Sequence, residues 1–221
     1  MSQSAQSALA NCSRQAPSVA KNLKDKMHTV KAMGRRFERE DERILAEGIY
    51  LKIKGSEKIC IIGANGAGKT TLLKKIAEEL MNRNDIKAEY MPQNYEDLLE
   101  LSVTPVDYLD KTGDKEERTR IRTYLGSLKY TPDEMEHPIR ELSGGQKAKV
   151  LLLRMSLSGA NVLILDEPTR NFSPLSGPVI RKMLREFPGA VISISHDRKY
   201  IEEVCDKIYQ LNPNGLQLIS E

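Results

Sequence analysis

The chain has 221 residues, of which 39% are hydrophobic and 29% are charged, and its formal net charge is +3. This length allows one good core with a small appended part, and the small net charge gives no global attraction to nucleic acid or membrane. No apolar run reaches the roughly 20 residues of a membrane span, and the first residues lack the apolar segment of a signal peptide. The three cysteines do not have the spacing of a metal site, which predicts reduced thiols. We therefore expect a cytoplasmic protein that does not insert into a membrane.

The N-terminal part of the chain changes character near residue 20. Residues 1–20 are rich in Ser, Ala and Gln, and we predict that they are disordered. In residues 21–43 apolar side chains recur at steps of three and four while Lys and Arg cover the other faces, which predicts a basic amphipathic helix. On charge grounds, a solvated helix that packs by its apolar stripe explains this pattern as well as contact with nucleic acid does.

A phosphate-binding loop is predicted after a short buried strand, KICII. The sequence GANGAGKT matches the pattern G-x-x-x-x-G-K-[ST], in which backbone N–H groups surround phosphate oxygens and a lysine reaches the β and γ phosphates. The hydroxyl that ends the pattern is a ligand for Mg²⁺, and TLLKKIAEEL continues as an amphipathic helix whose N-terminus faces the phosphates. The candidate phosphate-binding residues are Gly63, Asn65, Gly66, Ala67, Gly68, Lys69, Thr70 and Thr71.

Three later apolar segments end in polar side chains. The run VLILD leads into Asp166 and Glu167, and a strand interior would not tolerate two carboxylates unless its end opened on a charged site. His196 follows the apolar strand AVISIS, and Gln93 follows AEYMP. These residues are therefore candidates for a site at the ends of parallel strands.

The motif LSGGQ is preceded by a predicted helical region, residues 116–129 and 133–140. Ser143, Gly144 and Gly145 open a helical stretch from Gln146 to Leu157, so that a hydroxyl, amide donors and the helix dipole can point at an anion. An N-cap serine alone would explain Ser143 but not the two glycines and Gln146. Further on, Pro178 starts a predicted helix, and KIYQL and LQLIS flank a predicted hairpin turn.

The order of these motifs, over about residues 44–211, resembles that of ATP-binding-cassette ATPases. The resemblance implies an α/β P-loop core with a parallel sheet and a helical subdomain in residues 44–221, following the basic helical arm. It implies ATP and Mg²⁺ as cofactors, with Thr70, Gln93 and Asp166 at the metal, Glu167 as general base and His196 at the γ-phosphate. The residues implied to cap ATP bound to a second cassette are Ser143, Gly144, Gly145 and Gln146.

Two segments resemble soluble ABC-F proteins, the ribosome-associated branch without transmembrane domains. KNLKDKMHTVKAMGRRFERE is similar to the end of their interdomain linker, and DEPTRNFSPLS is similar to the second cassette of bacterial members, including antibiotic-resistance ribosome protectors. This implies the C-terminal half of a two-cassette protein and, as partners, a second cassette and the ribosome with its rRNA and tRNA. The candidate RNA contacts are Lys31, Arg35, Arg36 and Arg39.

A different function, the ATPase subunit of a membrane transporter, stays open because the shared motifs do not exclude it. A chromosome-maintenance ATPase is disfavoured, because such proteins separate their P-loop and signature with long coiled coils and only 75 residues separate Lys69 from Gly144 here.

The sequence also departs from the family pattern at two places. The segment between the basic helix and the P-loop is short and lacks an evident adenine-stacking aromatic, since Phe37 belongs to the predicted helix and Tyr50 is too near the loop. Where many cassettes carry an aspartate after the catalytic glutamate, this chain has residues 171–174, NFSP.

Overall fold

The computed structural model describes Ile49 and residues 51–170, 172–174 and 176–220. The predicted disordered start (1–20) and the basic helix (21–43), which carries all four candidate RNA contacts, lie outside the described residues. So do Phe37, Tyr50 and Asn171. No helix in the described ranges is long and apolar enough to cross a membrane.

One six-stranded sheet organises the described chain. Its strands are β1 (Lys58–Ile62), β2 (Ala88–Met91), β3 (Val162–Asp166), β4 (Ala190–Ile194), β5 (Lys207–Asn212) and β6 (Gly215–Ser220), in the spatial order β2-β3-β4-β1-β5-β6. The first five strands run parallel, and β5 and β6 form an antiparallel hairpin. The predicted α/β class and the predicted C-terminal hairpin are confirmed.

Seven helices accompany the sheet within the described residues. They are α1 (Lys69–Met81), α2 (Pro105–Leu109), α3 (Lys115–Ser127), α4 (Pro132–Glu136), α5 (Gly144–Leu157), α6 (Gly177–Glu186) and α7 (Arg198–Val204), with 3₁₀ turns at Glu96–Leu98 and Ile139–Glu141. The predicted helical segment 133–140 is two short pieces, because His137 precedes Pro138 and takes an extended conformation that ends α4. The other helices that were predicted within the described residues lie within two residues of their observed bounds.

The sheet separates two hydrophobic clusters. One cluster joins apolar side chains of α1 with Leu51 and Ile53 and with alternate residues of the strands, such as Ile59 and Ile164. The other joins α5, α6 and α7 with the helical region from α2 to α4, and it includes Leu151, fully buried. Both faces of the sheet are therefore covered, as a parallel sheet requires.

A buried lysine closes the amino end of the sheet. Lys58 begins β1, and its Nζ donates to the carbonyl oxygens of Ser56 at 2.6 Å, Phe187 at 2.8 Å and Gly189 at 2.7 Å. Its backbone N–H donates to Asp206 Oδ2 at 2.8 Å. Burial lowers the pKa of Lys58 to about 8, against an opposing effect of Asp206. Every hydrogen of the buried ammonium thus has an acceptor.

Candidate functional site

The carboxyl ends of four neighbouring strands converge on one pocket. The loop after β1 enters α1, Gln93 follows β2, Glu167 follows β3 and His196 follows β4. A cavity of about 550 Å³ lies between them, and the residues of the predicted site that line it are Asn65, Gly66, Gly68, Lys69, Thr70, Thr71, Gln93, Asp166, Glu167 and His196. Ligands bind at this end of open α/β sheets.

The loop from Gly63 to Thr70 has the geometry of a phosphate cradle. Gly63 has φ +155°, and a Cβ there would lie 2.7 Å from the carbonyl oxygen of Leu211, so a larger residue would displace the loop. Gly68 is the N-cap of α1 with φ +90°, and no side chain caps this helix. The first amide groups of α1 are therefore available to an anion in the pocket.

Lys69 is buried and bonds to its own loop. Its Nζ donates to the carbonyl oxygens of Gly63 at 2.9 Å and Ala64 at 3.0 Å. Gly63 and Ala67, although predicted as phosphate-binding residues, do not line the cavity. Gly63 instead supplies a carbonyl to Lys69, and Ala67 packs against the cluster that contains α1.

Asp166 ends β3 as a buried carboxylate with an unpartnered oxygen. The residue is 3% exposed, and Oδ2 has no hydrogen-bond partner among the described residues. Burial raises the pKa of Asp166, while the Thr70 hydroxyl and the cations of Lys74 and Lys69 act to lower it. A buried, unpartnered carboxylate oxygen beside a hydroxyl and an amide at the pocket wall is a donor set that suits Mg²⁺.

The surroundings of Asp166 include Tyr90 on the neighbouring strand. Tyr90 pairs with Ile164, which lies two residues before Asp166 on β3. The side chains of Tyr90 and Asp166 therefore lie on the same face of the sheet. Burial, together with the nearby Asp166, raises the pKa of Tyr90 to about 12. Because the Tyr90 hydroxyl also lacks a partner among the described residues, polar hydrogen-bonding capacity remains unused around Asp166.

Glu167 is held in a strained backbone conformation next to His196. Its φ is +53°, in the left-handed region that residues with a Cβ seldom adopt, and its N–H donates to Ile194 O at 3.0 Å. Glu167 Oε1 lies 3.6 Å from His196 Nε2, and Oε2 accepts from the backbone N–H of His196 at 3.4 Å. Burial raises the pKa of Glu167, and His196 opposes that rise. Strain of this kind concentrates at functional sites, and here it aims the carboxylate into the pocket.

One charged pocket residue was not assigned from the sequence. Arg170 lines the same cavity and is exposed, and its backbone N–H donates to Glu167 O at 3.2 Å in the turn after β3. The available signal was an arginine three residues beyond Glu167, in a loop that follows a strand with a charged end. That signal indicates the location of the side chain but not its direction.

The signature residues lie apart from the pocket. None of Ser143, Gly144, Gly145 and Gln146 is among the residues that line it, and Ser143 and Gly144 are exposed at the start of α5. Ser143 is the N-cap, since its Oγ accepts from the N–H of Gln146 at 3.3 Å, and Gln146 Oε1 accepts from the N–H of Ser143 at 2.9 Å. The expectation that capping would not explain Gln146 is therefore wrong, because its side chain completes a capping box.

Neighbouring side chains fix the start of α5. Tyr95 donates from its hydroxyl to Gly144 O at 2.7 Å, and the hydroxyl of Tyr130 donates to Gln146 O. Gln146 Nε2 donates to Glu134 Oε1 at 2.7 Å. Since Tyr95 lies two residues after Gln93, these bonds connect the strand end at the pocket to the signature helix.

Comparison with known proteins agrees with this geometry. The family model for ABC transporters matches residues 46–170. The chain is 28% identical to ABC transporter F family member 5 of Arabidopsis thaliana over 80% of this chain and 27% of the relative. It is 31% identical to the probable ATP-binding protein YheS of Escherichia coli (strain K12), over 80% and 29% of the two chains. Protein GCN20 of Saccharomyces cerevisiae is 31% identical over 78% and 24%.

Solved structures share the fold. A dimeric structure of a post-hydrolysis state of the ATP-binding cassette MJ0796, bound to ADP and Pi, aligns with a TM-score of 0.68 over 85% of this chain and 95% of that one, at 20% identity. A second dimeric MJ0796 structure gives a TM-score of 0.67. The chain spans less than a third of the length of the three curated relatives.

Proposed function

The chain belongs to the ABC transporter family, and from this premise we propose that it binds and hydrolyses Mg-ATP as one cassette of a two-cassette ABC-F-type protein. The observation that carries the proposal is the convergence of Lys69, Asp166, Glu167 and His196 on one cavity at the carboxyl edge of the sheet. These four residues come from three separate motifs, and a structural role would not require them to share a cavity.

The loop and the start of α1 bind the phosphates. The amide groups around Gly66 and Gly68 donate to phosphate oxygens, aided by the positive end of the helix dipole. Lys69 exchanges the carbonyls of Gly63 and Ala64 for the β and γ phosphates when nucleotide binds. The exchange replaces two neutral acceptors with charged ones, which strengthens both hydrogen bonds.

Thr70, Gln93 and Asp166 would hold Mg²⁺ together with the phosphates. The unpartnered Oδ2 of Asp166 gives this ion a negatively charged, buried ligand, directly or through water. The charge that these residues would hold there would offset the negative charge of the β and γ phosphates. The Thr70 hydroxyl and the Gln93 amide complete a set of oxygen ligands typical of this ion.

Glu167 acts as the general base. Burial raises its pKa and makes it a better proton acceptor than an exposed carboxylate, while its ionised form remains favoured by His196. Glu167 takes a proton from the water that attacks the γ-phosphorus, while the bond from that phosphorus to the β–γ bridging oxygen breaks and ADP leaves. His196 contacts the terminal phosphate. The left-handed conformation of Glu167 fixes the direction of this carboxylate before substrate binds.

The signature residues serve a second cassette. Ser143 and Gly144 are exposed and do not line the pocket of their own chain, so their free face is available to nucleotide held by another cassette. Both MJ0796 structures are dimers of cassettes, which supports pairing. We expect the isolated chain to turn over ATP slowly, because each complete site needs the signature of a partner.

The cellular role that we propose is in the cytoplasm at the ribosome, as a translation factor or an antibiotic-resistance ribosome protector. Support comes from the ABC-F relatives and from the basic segment 21–43, which would meet RNA phosphates. In this reading the domain organisation is a disordered start (1–20), the linker helix (21–43) and the cassette (44–221).

The catalytic part is tested by ATP hydrolysis of the chain and of Lys69→Ala. We expect slow Mg-dependent phosphate release from the wild type and at least about 100-fold less from the variant, because the variant lacks the γ-phosphate contact. Lys75→Ala removes an exposed lysine of the same helix and serves as the control. Equal rates for all three proteins would contradict the proposal.

The ribosomal part is tested by co-sedimentation with ribosomes over a salt series. Replacing Lys31, Arg35, Arg36 and Arg39 by Gln should weaken binding about 10-fold or more at low salt and reduce its salt dependence, because fewer counterions are released. A control that neutralises Lys52, Lys75, Lys115 and Arg120, all exposed, removes the same charge elsewhere. If both quadruple variants sediment alike, the ribosomal role fails and the transporter alternative gains support.

A further inference from the structure

We propose that Arg170 contacts the terminal phosphate of ATP and thereby makes this cassette discriminate ATP from ADP. This inference rests on the proposed function and adds to it a specificity residue from the turn that follows β3. It is carried by the position of Arg170 in the pocket, by its lack of a partner and by the charge balance of the cavity wall.

The guanidinium of Arg170 is unpaired within the described residues. Its guanidinium has no ion pair or hydrogen bond with any described residue, although arginines elsewhere in the fold do, such as Arg118 with two aspartates and Arg181 with Glu203. The other lysine or arginine that lines the pocket, Lys69, is held by two carbonyls of its own loop. Arg170 is thus free to bind an anion without first breaking a contact in the described structure.

Arg170 balances the charge of the side chains that line the cavity. The carboxylates of Asp166 and Glu167 line the wall, and the lysine and arginine that line it with them are Lys69 and Arg170. Without Arg170, two carboxylates and one ammonium group would line the cavity that a polyanionic ligand must enter. A guanidinium also matches a phosphate group with two parallel hydrogen bonds, which a lysine does not provide.

The turn after β3 places Arg170 at the hydrolytic end of the pocket. The hydrogen bond from Arg170 N–H to Glu167 O, 3.2 Å, keeps the two residues within one turn of chain. Glu167 faces the attacking water in the proposed mechanism, so the phosphate nearest to Arg170 is the terminal one. ADP lacks this phosphate, and the contribution of Arg170 should therefore be absent for ADP.

The test is equilibrium binding of a non-hydrolysable ATP analogue and of ADP, each with Mg²⁺, to the full chain. Arg170→Gln should weaken analogue binding about 10-fold or more while ADP affinity changes less than about 2-fold, because only the terminal contact is charge-assisted. Arg170→Lys should recover part of the loss. Arg198→Gln removes an exposed arginine two residues beyond His196 that does not line the pocket, and it controls for long-range charge.

Thermal unfolding without nucleotide separates this role from a structural one. Because Arg170 is exposed and unpartnered within the described structure, its replacement should leave the unfolding midpoint unchanged. Wild-type chain that binds neither nucleotide would overturn the proposed function itself. Wild-type binding with an unaffected Arg170→Gln, an equal loss for both nucleotides, or the same loss in Arg198→Gln would each overturn the role of Arg170 alone.

Discussion

The charged residues at the two ends of the parallel sheet differ in how completely they are hydrogen-bonded. At the amino end, the ammonium of Lys58 has three carbonyl acceptors, and Asp206 accepts from the Lys58 backbone and from Arg185. At the carboxyl end, Asp166 keeps an oxygen without a partner in the described structure, and Glu167 is held at φ +53°. Both ends bury charge, but among the described residues only the amino end supplies every buried charged group with hydrogen-bond partners.

This difference separates stability from function. A buried charge with all its hydrogen bonds made supports the fold, and removing it leaves its partners unsatisfied. A buried charge that lacks partners is unfavourable until a ligand supplies them. Substitutions at the amino end should therefore reduce stability without changing nucleotide binding or hydrolysis. Substitutions at the carboxyl end should change nucleotide binding or hydrolysis without reducing stability.

The largest expected effect is at Glu167. Glu167→Gln should lower ATP hydrolysis about 100-fold to 10,000-fold, because the general base is lost while the Asp166 metal site and the phosphate loop remain. The free energy of unfolding should not decrease, since the substitution removes a partly buried carboxylate whose ionised form burial disfavours. Phosphate release and urea unfolding measure the two quantities.

The same variant should also accumulate as an ATP-bound pair, which sedimentation with and without Mg-ATP detects. Glu202→Gln, on the exposed side of α7, is the matched control and should behave as wild type in all three measurements. Hydrolysis by Glu167→Gln at the wild-type rate would place the base elsewhere in the pocket.

Lys58→Met tests the opposite end of the sheet. The variant removes the donor from three buried or partly buried carbonyls, so we expect it to lose about 3 kcal/mol of unfolding free energy. Nucleotide affinity, measured where the variant is still folded, should change less than about 2-fold. Lys54→Met, an exposed lysine nearby, provides the comparison, and identical urea midpoints for the two variants would contradict this account.

The sequence predicted the sheet, the P-loop and the strand-end residues well, because each has a local signal. An apolar run that ends in Asp166 and Glu167 predicts a buried strand whose end opens on a charged site, and GANGAGKT matches a motif of fixed spacing. The role of Lys58 could not be predicted, because its acceptors Phe187 and Gly189 are about 130 residues away along the chain. Arg170 was missed for a related reason: only the folded turn shows that the side chain lines the pocket.

Ser143 has both a stabilising role and a proposed functional role. Its hydroxyl caps α5, and it is also the proposed contact for nucleotide on a second cassette. Ser143→Ala should lower the unfolding free energy by about 1 kcal/mol and weaken ATP-dependent pairing. Ser143→Asp should keep the cap, and hence stability, but abolish pairing because its carboxylate would face a phosphate.

Urea unfolding and sedimentation in the Glu167→Gln background distinguish these outcomes. Thr131→Ala removes the cap of α4, which has the same capping box, and should lower stability without affecting pairing. Normal pairing of Ser143→Asp would show that Ser143 acts only as a cap, and the contrast between the two kinds of residue would then stop at the pocket.

The smallest effect is the pH dependence of stability that Glu167 introduces. Burial raises its pKa above the ordinary value of 4.5 in the folded state, so the folded chain binds more protons than the unfolded chain just above that pH. The resulting stabilisation is fully present below pH 4.5 and is lost as the pH rises through the folded pKa. Glu167→Gln has no such titration, so urea unfolding should show its stability rising relative to wild type from pH 4.5 toward neutrality. A difference in unfolding free energy between the two proteins that stays constant over that range would mean that the ionised Glu167 carboxylate is as stable in the fold as in water. The contrast between the two ends of the sheet would then lose its electrostatic basis.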